Sequence, residues 1–138
     1  MSWRPPATAG LAVLLALSGF ALSGPPAHAA GDPPHIERRA GTDAPAEVSG
    51  LDEPARAGDP VTAARQHLAD PRYHVNTADL TPLHTVVDGP DETVRFAQRH
   101  RGLPVLGGQY LVHFRNEGGK RTVTGAGGRY LTGLRCGD

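Results

Sequence analysis

From Thr93 onward the chain alternates apolar and polar residues, and that alternation constrains the fold more than any other feature. In Thr93–His100, Val94 and Phe96 fall on one side and Arg95, Ala97 and Arg99 on the other. Gln109–Arg115 repeats the pattern, with Tyr110, Val112 and Phe114 opposite Gln109, Leu111 and His113. A period of two is that of a β-strand with one face in a core. Arg101-Gly102 and Asn116-Glu117-Gly118-Gly119 separate the runs; such short links allow only antiparallel neighbours. Arg121–Ala126 returns with Val123 as its apolar residue, and Leu83–Val87 is a further β-rich run closed by Asp88-Gly89-Pro90-Asp91. Pro104 confines the apolar segment Leu103–Leu106 to an edge or a bulge.

One helix precedes these strands. Asp59 suits an N-cap and Pro60 the first helical position. Val61, Ala64 and Leu68 then share a face, and Asp70-Pro71 ends the pattern. A helix of about ten residues needs a surface to pack on. The expectation is an α+β fold, a short helix packed on a small antiparallel β-sheet. Its core is expected to contain Val61, Leu68, Val94, Phe96, Tyr110, Val112, Phe114 and Val123.

The N-terminus sets a compartment. Arg4 precedes an apolar stretch from Leu11 through Leu17 to Leu22; Ser23-Gly24-Pro25-Pro26 breaks it, and Ala27-His28-Ala29 supplies a small-x-small cleavage pattern. This reads as a signal peptide over 1–29, cleaved after Ala29, and implies a secreted, extracellular product. The stretch is shorter than the roughly 20 residues that span a bilayer, so no membrane association is expected after cleavage. Residues 30–58 carry six acidic and three basic residues, with Ile36, Val48 and Leu51 as the large aliphatics. Such a segment buries little, and it reads as a flexible, disordered leader. The folded domain is then 59–135, near the lower size limit for a core without disulfides or metal. Cys136 is the single cysteine, so no internal disulfide can form. A surface thiol and a thiol whose partner lies outside this chain both stay open.

The 138 residues carry a formal net charge of zero, which gives no global attraction for nucleic acid or membrane. The charge is nonetheless divided: five basic and twelve acidic residues in 30–92, eight basic and two acidic in 93–138. Either these are solvated faces, or a basic sheet face docks on an acidic protein. Aromatic residues do not interleave with the arginines as base-stacking would require, so nucleic acid is not an expected partner.

Catalytic motifs are missing. A zinc peptidase needs two His one helical turn apart with a Glu beside them. His35, His67, His74, His84, His100 and His113 contain no such pair. One Cys cannot supply ligand pairs, and Ser49, in the leader, is the only Ser after the signal. Gly125-Ala126-Gly127-Gly128 precedes no helix pattern, so it reads as a loop rather than a phosphate cradle. No catalytic, cofactor-binding or metal-ligating residue is assigned. His113 is the histidine best placed for a cleft.

The segment from Thr93 to Phe114 resembles the propeptide domain of fungalysin and thermolysin metalloprotease precursors. The resemblance rests on Arg95, Phe96, Gln98, Gly102, Pro104, Val105, Gly107, Gly108, Val112 and His113, with Thr122-Val123-Thr124-Gly125 fitting the closing hairpin. His100 departs from the family, which usually has Tyr there. The resemblance implies a non-catalytic pro-domain that assists folding of the protease domain and holds it latent. Its partner would be the catalytic domain of a thermolysin-like metalloprotease, and zinc would sit in that parent domain, not here. The chain would be a precursor cut short of its catalytic domain: a fragment, a truncated gene or a stand-alone product. Gly102, Pro104, Val105, Gly107 and Gly108 are expected to shape the hairpin, and Gln98, Arg99, Arg101, Gln109 and His113 to meet the partner. The alternative is a stand-alone secreted protease inhibitor or binding module. Gln98 to Gly102 has the Gln-x-x-x-Gly spacing of the cystatin inhibitory hairpin, without its central Val.

Overall fold

A computed structural model describes residues 31–56 and 58–135; the signal peptide read at 1–29 and the thiol of Cys136 lie outside them. The described chain is α+β, as expected. Strands β1 (His35–Arg38) and β2 (Pro45–Pro54) come first, then helix α1 (Pro60–Leu68) and two short 3-10 turns. Strands β3 (Leu80–Asp88), β4 (Asp91–His100), β5 (Leu103–Glu117) and β6 (Lys120–Arg129) follow. They form one six-stranded sheet in the order β1-β2-β6-β5-β4-β3. Every neighbouring pair is antiparallel. The chain reaches β3, at the far edge, by way of α1, which lies across one face of the sheet.

Asp59 caps α1 as its position suggests: Oδ1 accepts from Thr62 N at 3.0 Å and Oδ2 from the Thr62 hydroxyl at 2.6 Å. Ala63, Ala64 and Leu68 form the helix's buried stripe. Small residues at 63 and 64 let the helix axis approach the sheet. From the sheet, Val94, Phe96, Tyr110, Val112, Phe114 and Val123 meet it, all buried. Val61 is the exception among the expected core residues. In the first turn it packs on the rim and stays partly exposed, and Ala63 completes the stripe.

Within the segment read as a flexible leader, 30–58, residues 35–38 and 45–54 are strands of the sheet. They supply β1 and β2, and Ala44, Pro45, Val48 and Leu51 are buried. The burial repeats every third residue, not every second, because the register shifts twice, against β1 between Pro45 and Glu47 and against β6 between Ser49 and Glu53. Gly50 sits in the second shift with φ +73°. A bulged strand hides its own alternation, and backbone pairing needs no apolar sequence. The folded unit therefore begins before Asp59.

Gly125–Gly128 is not a loop. It continues β6, and the reason is close approach. A Cβ on Gly127 would lie 2.5 Å from the Ala46 carbonyl oxygen, and one on Gly125 would lie 2.7 Å from that of Val48. Only glycine lets β2 come this near. Beside them, Tyr110 faces Gly128 and passes its hydroxyl to the Pro45 carbonyl at 2.7 Å, a buried hydrogen bond across the sheet.

Side chains join β2 to the helical side as well. Arg72 donates from Nη1 and Nη2 to the two Glu53 carboxylate oxygens, at 2.7 and 2.5 Å. His67 Nε2 lies 2.5 Å from the Tyr73 hydroxyl and its Nδ1 3.7 Å from Glu53 Oε2. Burial pushes the Tyr73 pKa up to about 12, so its hydroxyl keeps its proton, and the His67 tautomer sets the direction of the bond between them. Burial also holds His67 below its ordinary value, against the opposing pull of Glu53. The Arg72 hydrogen bonds hold Glu53 below the usual carboxylate range.

Two predictions follow from these contacts. Gly127→Ala should destabilise the fold by roughly 1–3 kcal/mol in a urea titration, by forcing β2 off β6. Both depressed pKa values make the folded state bind fewer protons than the unfolded chain. Stability should therefore fall as the pH drops below 6.5, the ordinary value for His, and fall further below 4.5, that for Glu. Melting curves across this range check the trend, and His67→Gln should flatten the first of the two losses.

Candidate functional site

α1 covers one face of the sheet and leaves the other open. On the open face, β6 contributes the bare backbone of Gly125 and Gly127. Beside that floor stand Glu47 and Ser49 of β2, and Leu111 and His113 of β5. Together with Thr124 they line a trough of about 480 Å³. His113 Nδ1 shares a hydrogen bond with the Thr93 hydroxyl at 2.9 Å. Desolvation by the surrounding groups lowers the His113 pKa, outweighing the opposing effect of Glu47. Glu47 and Ser49 were missed as wall residues because their segment read as leader.

Next to the trough, the β4–β5 hairpin runs on past the end of β6 as an arm. Arg101 and Gly102 form its turn, both with positive φ, +50° and +80°. Arg99 braces the turn from Nε and Nη2 to the Gly102 carbonyl, at 3.2 and 2.6 Å. Pro104 lies opposite Arg99, where β5 has only β4 beside it, so its missing N–H costs no ladder bond to β6. The pairing then jumps from Arg99–Pro104 to Ala97–Gln109, so that Val105–Gly108 bulge opposite Gln98 alone. Gly107, with φ +73°, turns the bulge. Leu103 and Leu106 on this arm are exposed, Leu106 almost fully.

Gln98 corrects one expectation. It is not an exposed contact residue but is 2% exposed. Its Nε2 donates to the Leu131 carbonyl at 2.7 Å and its Oε1 accepts from Leu131 N at 2.8 Å. The amide thus pins the segment after β6 as a neighbouring strand would. Gly108 makes room for it, since a Cβ there would lie 2.8 Å from Gln98 Oε1. The Gln-x-x-x-Gly spacing consequently has no inhibitory side chain to offer at its first position. His100, the departure from the motif, is half-buried opposite Leu103, with Nε2 unpartnered among the described residues.

The charge division resolves along the strands. Near the Gly89-Pro90 and Gly118-Gly119 turns, two arginines have partners. Arg115 lies 3.0 Å from Asp91, and Arg121 lies 2.9 Å from the buried carboxylate of Glu92. Toward the arm the arginines do not: among the described residues Arg95, Arg99, Arg101 and Arg129 have no carboxylate within 4.0 Å. Gln109, exposed between Arg95 and Arg129, accepts a long hydrogen bond of 3.4 Å from Arg95 Nη1. Arg95 Nε is buried without a partner. The arrangement offers arginine donors, exposed leucines and a trough floored by backbone.

Gln98→Ala should therefore cost about 1–3 kcal/mol in urea unfolding, leaving the Leu131 backbone groups unpaired. Arg101→Ala should stay within about 0.5 kcal/mol of the parent. Equal losses for the two would contradict this division between holding and exposed side chains.

Residues 78–127 match the family model described as the Fungalysin/Thermolysin Propeptide Motif. No curated protein and no solved structure matches the chain. The matched segment spans β3 to β6 and contains the whole arm. The segment from β3 to β6 is thus similar to a fungalysin/thermolysin propeptide motif.

Proposed function

We propose that this chain is the non-catalytic pro-domain of a secreted zinc metallopeptidase, an intramolecular chaperone and inhibitor of the protease domain. Residues 1–29 act as its export signal. The observation that carries the reading is the propeptide motif itself, matched from β3 to β6. The unpaired arginines and exposed Leu103 and Leu106 of the arm then meet an acidic, partly apolar surface of the catalytic domain, with Gln109 and His113 beside them. Pro-domains of this kind leave hydrolysis to the partner, consistent with the lack of a His-Glu-x-x-His pair in the sequence. No described helix is long and apolar enough to cross a membrane. The stand-alone inhibitor reading loses its cystatin-like spacing, because Gln98 is held by Leu131.

The test is refolding of a thermolysin-like catalytic domain with and without the chain. The yield of active protease should rise with the chain present. The complex should weaken with added salt, because the Debye length falls from about 10 Å at 0.1 M to about 3 Å at 1 M. Reversing Arg101 and Arg129 should slow association more than reversing Arg38 and Arg39, at the opposite edge strand. Equal yields, with no complex on gel filtration, would sink the proposal.

A further inference from the structure

The two edges of the sheet differ in a way that packing within the chain does not explain. β1 is four residues long, and Glu37 and Arg38 place charge along it. Short, charged edges resist pairing with other chains. β3 is nine residues long, and every residue from Thr81 to Asp88 is exposed. Asp88, at its very end, is its only charged carboxylate or guanidinium side chain. Leu83, Val86 and Val87 are 48%, 52% and 66% exposed. Only Pro82 and the register shift beside Leu83 interrupt it, and both lie toward its start.

The geometry of the adjoining hairpin says which groups this edge offers. Asp88 and Asp91 close the two-residue turn Gly89-Pro90. In such a hairpin the closing residues exchange both backbone hydrogen bonds, and alternate residues back along the strand turn their N–H and C=O outward. Asp88 and Val86 therefore bond to β4, while Val87 and Thr85 direct their backbone groups away from the sheet.

We propose that β3 pairs antiparallel with β3 of a second copy of this chain, around a two-fold axis at Thr85. A two-fold axis perpendicular to the sheet puts Thr85 opposite Thr85 of the second copy. His84 then faces Val86, and Val87 approaches the register shift at Leu83. Threonine pairs and apolar pairs are favourable cross-strand neighbours. In this register Asp88 falls opposite Pro82, so the two carboxylates never face each other. At the axis hydroxyl meets hydroxyl and the one carboxylate of each strand is kept from the other, which is the argument for a second copy over an unrelated segment. The result is a continuous sheet across both copies, with the open faces and arms left free.

Analytical ultracentrifugation of the full chain over a concentration series tests this, together with Thr85→Lys and Thr85→Glu. The parent chain should pass from monomer to dimer as its concentration rises. Each variant alone sets like charges face to face at the axis and should weaken the dimer by roughly fivefold or more. An equimolar mixture of the two should recover it, which also shows that both variants fold. A parent chain that stays monomeric up to hundreds of micromolar (roughly −5 kcal/mol of association) would overturn the proposal. So would a dimer indifferent to both substitutions, or a mixture that recovers nothing.

Discussion

The approach of β2 to β6 is the contact on which the rest of the sheet depends. Gly125 and Gly127 let the carbonyls of Val48 and Ala46 sit where a side chain would otherwise stand. Once β2 is there, Val48 and Leu51 reach the core, Tyr110 finds a carbonyl for its buried hydroxyl, and Glu53 comes within reach of Arg72. The last of these ties the sheet to the turn after α1. A chain with a helix of nine residues and no internal disulfide has few other ways to enclose a core.

The same glycines shape both faces. Toward the helix they leave the core to the aromatic and β-branched residues of β4 and β5. Away from it they floor the open trough, so a structural necessity also leaves a concave surface. The ionic groups follow a similar division. Carboxylates from the first part of the chain pair with arginines at one end of the hairpins, Asp91 with Arg115 and Glu92 with Arg121. The arm at the other end keeps its arginines unpaired, beside exposed leucines. Partnered charge stabilises the hairpin ends, and unpartnered charge stays available for binding.

How much was legible in the sequence depended on how local the signal was. The β4 and β5 alternation, the Asp59 cap and the turns at Arg101-Gly102 and Gly118-Gly119 are read from neighbours a few residues apart, and they lie where expected. The motif from Thr93 to Phe114 was also local, and it lies inside the matched segment. β2 was not legible, because its bulge changes the burial period from two to three and its sequence is polar. Gln98 was misjudged for a related reason. A polar side chain beside a turn looks solvent-facing until a distant segment, here Leu131, arrives to bond it.

By itself the sequence determined the antiparallel hairpins, the capped helix, the α+β class and the propeptide motif, since each follows from backbone preferences and side-chain periods over short spans. Only the tertiary structure decided that residues 35–54 belong to the sheet, that the glycine run is a strand and that Gln98 holds while Arg101 is exposed. Those outcomes rest on contacts between residues tens of positions apart. Whether a glycine is a loop or a place for another backbone to approach depends on what lies beside it, and no single stretch of chain contains that information.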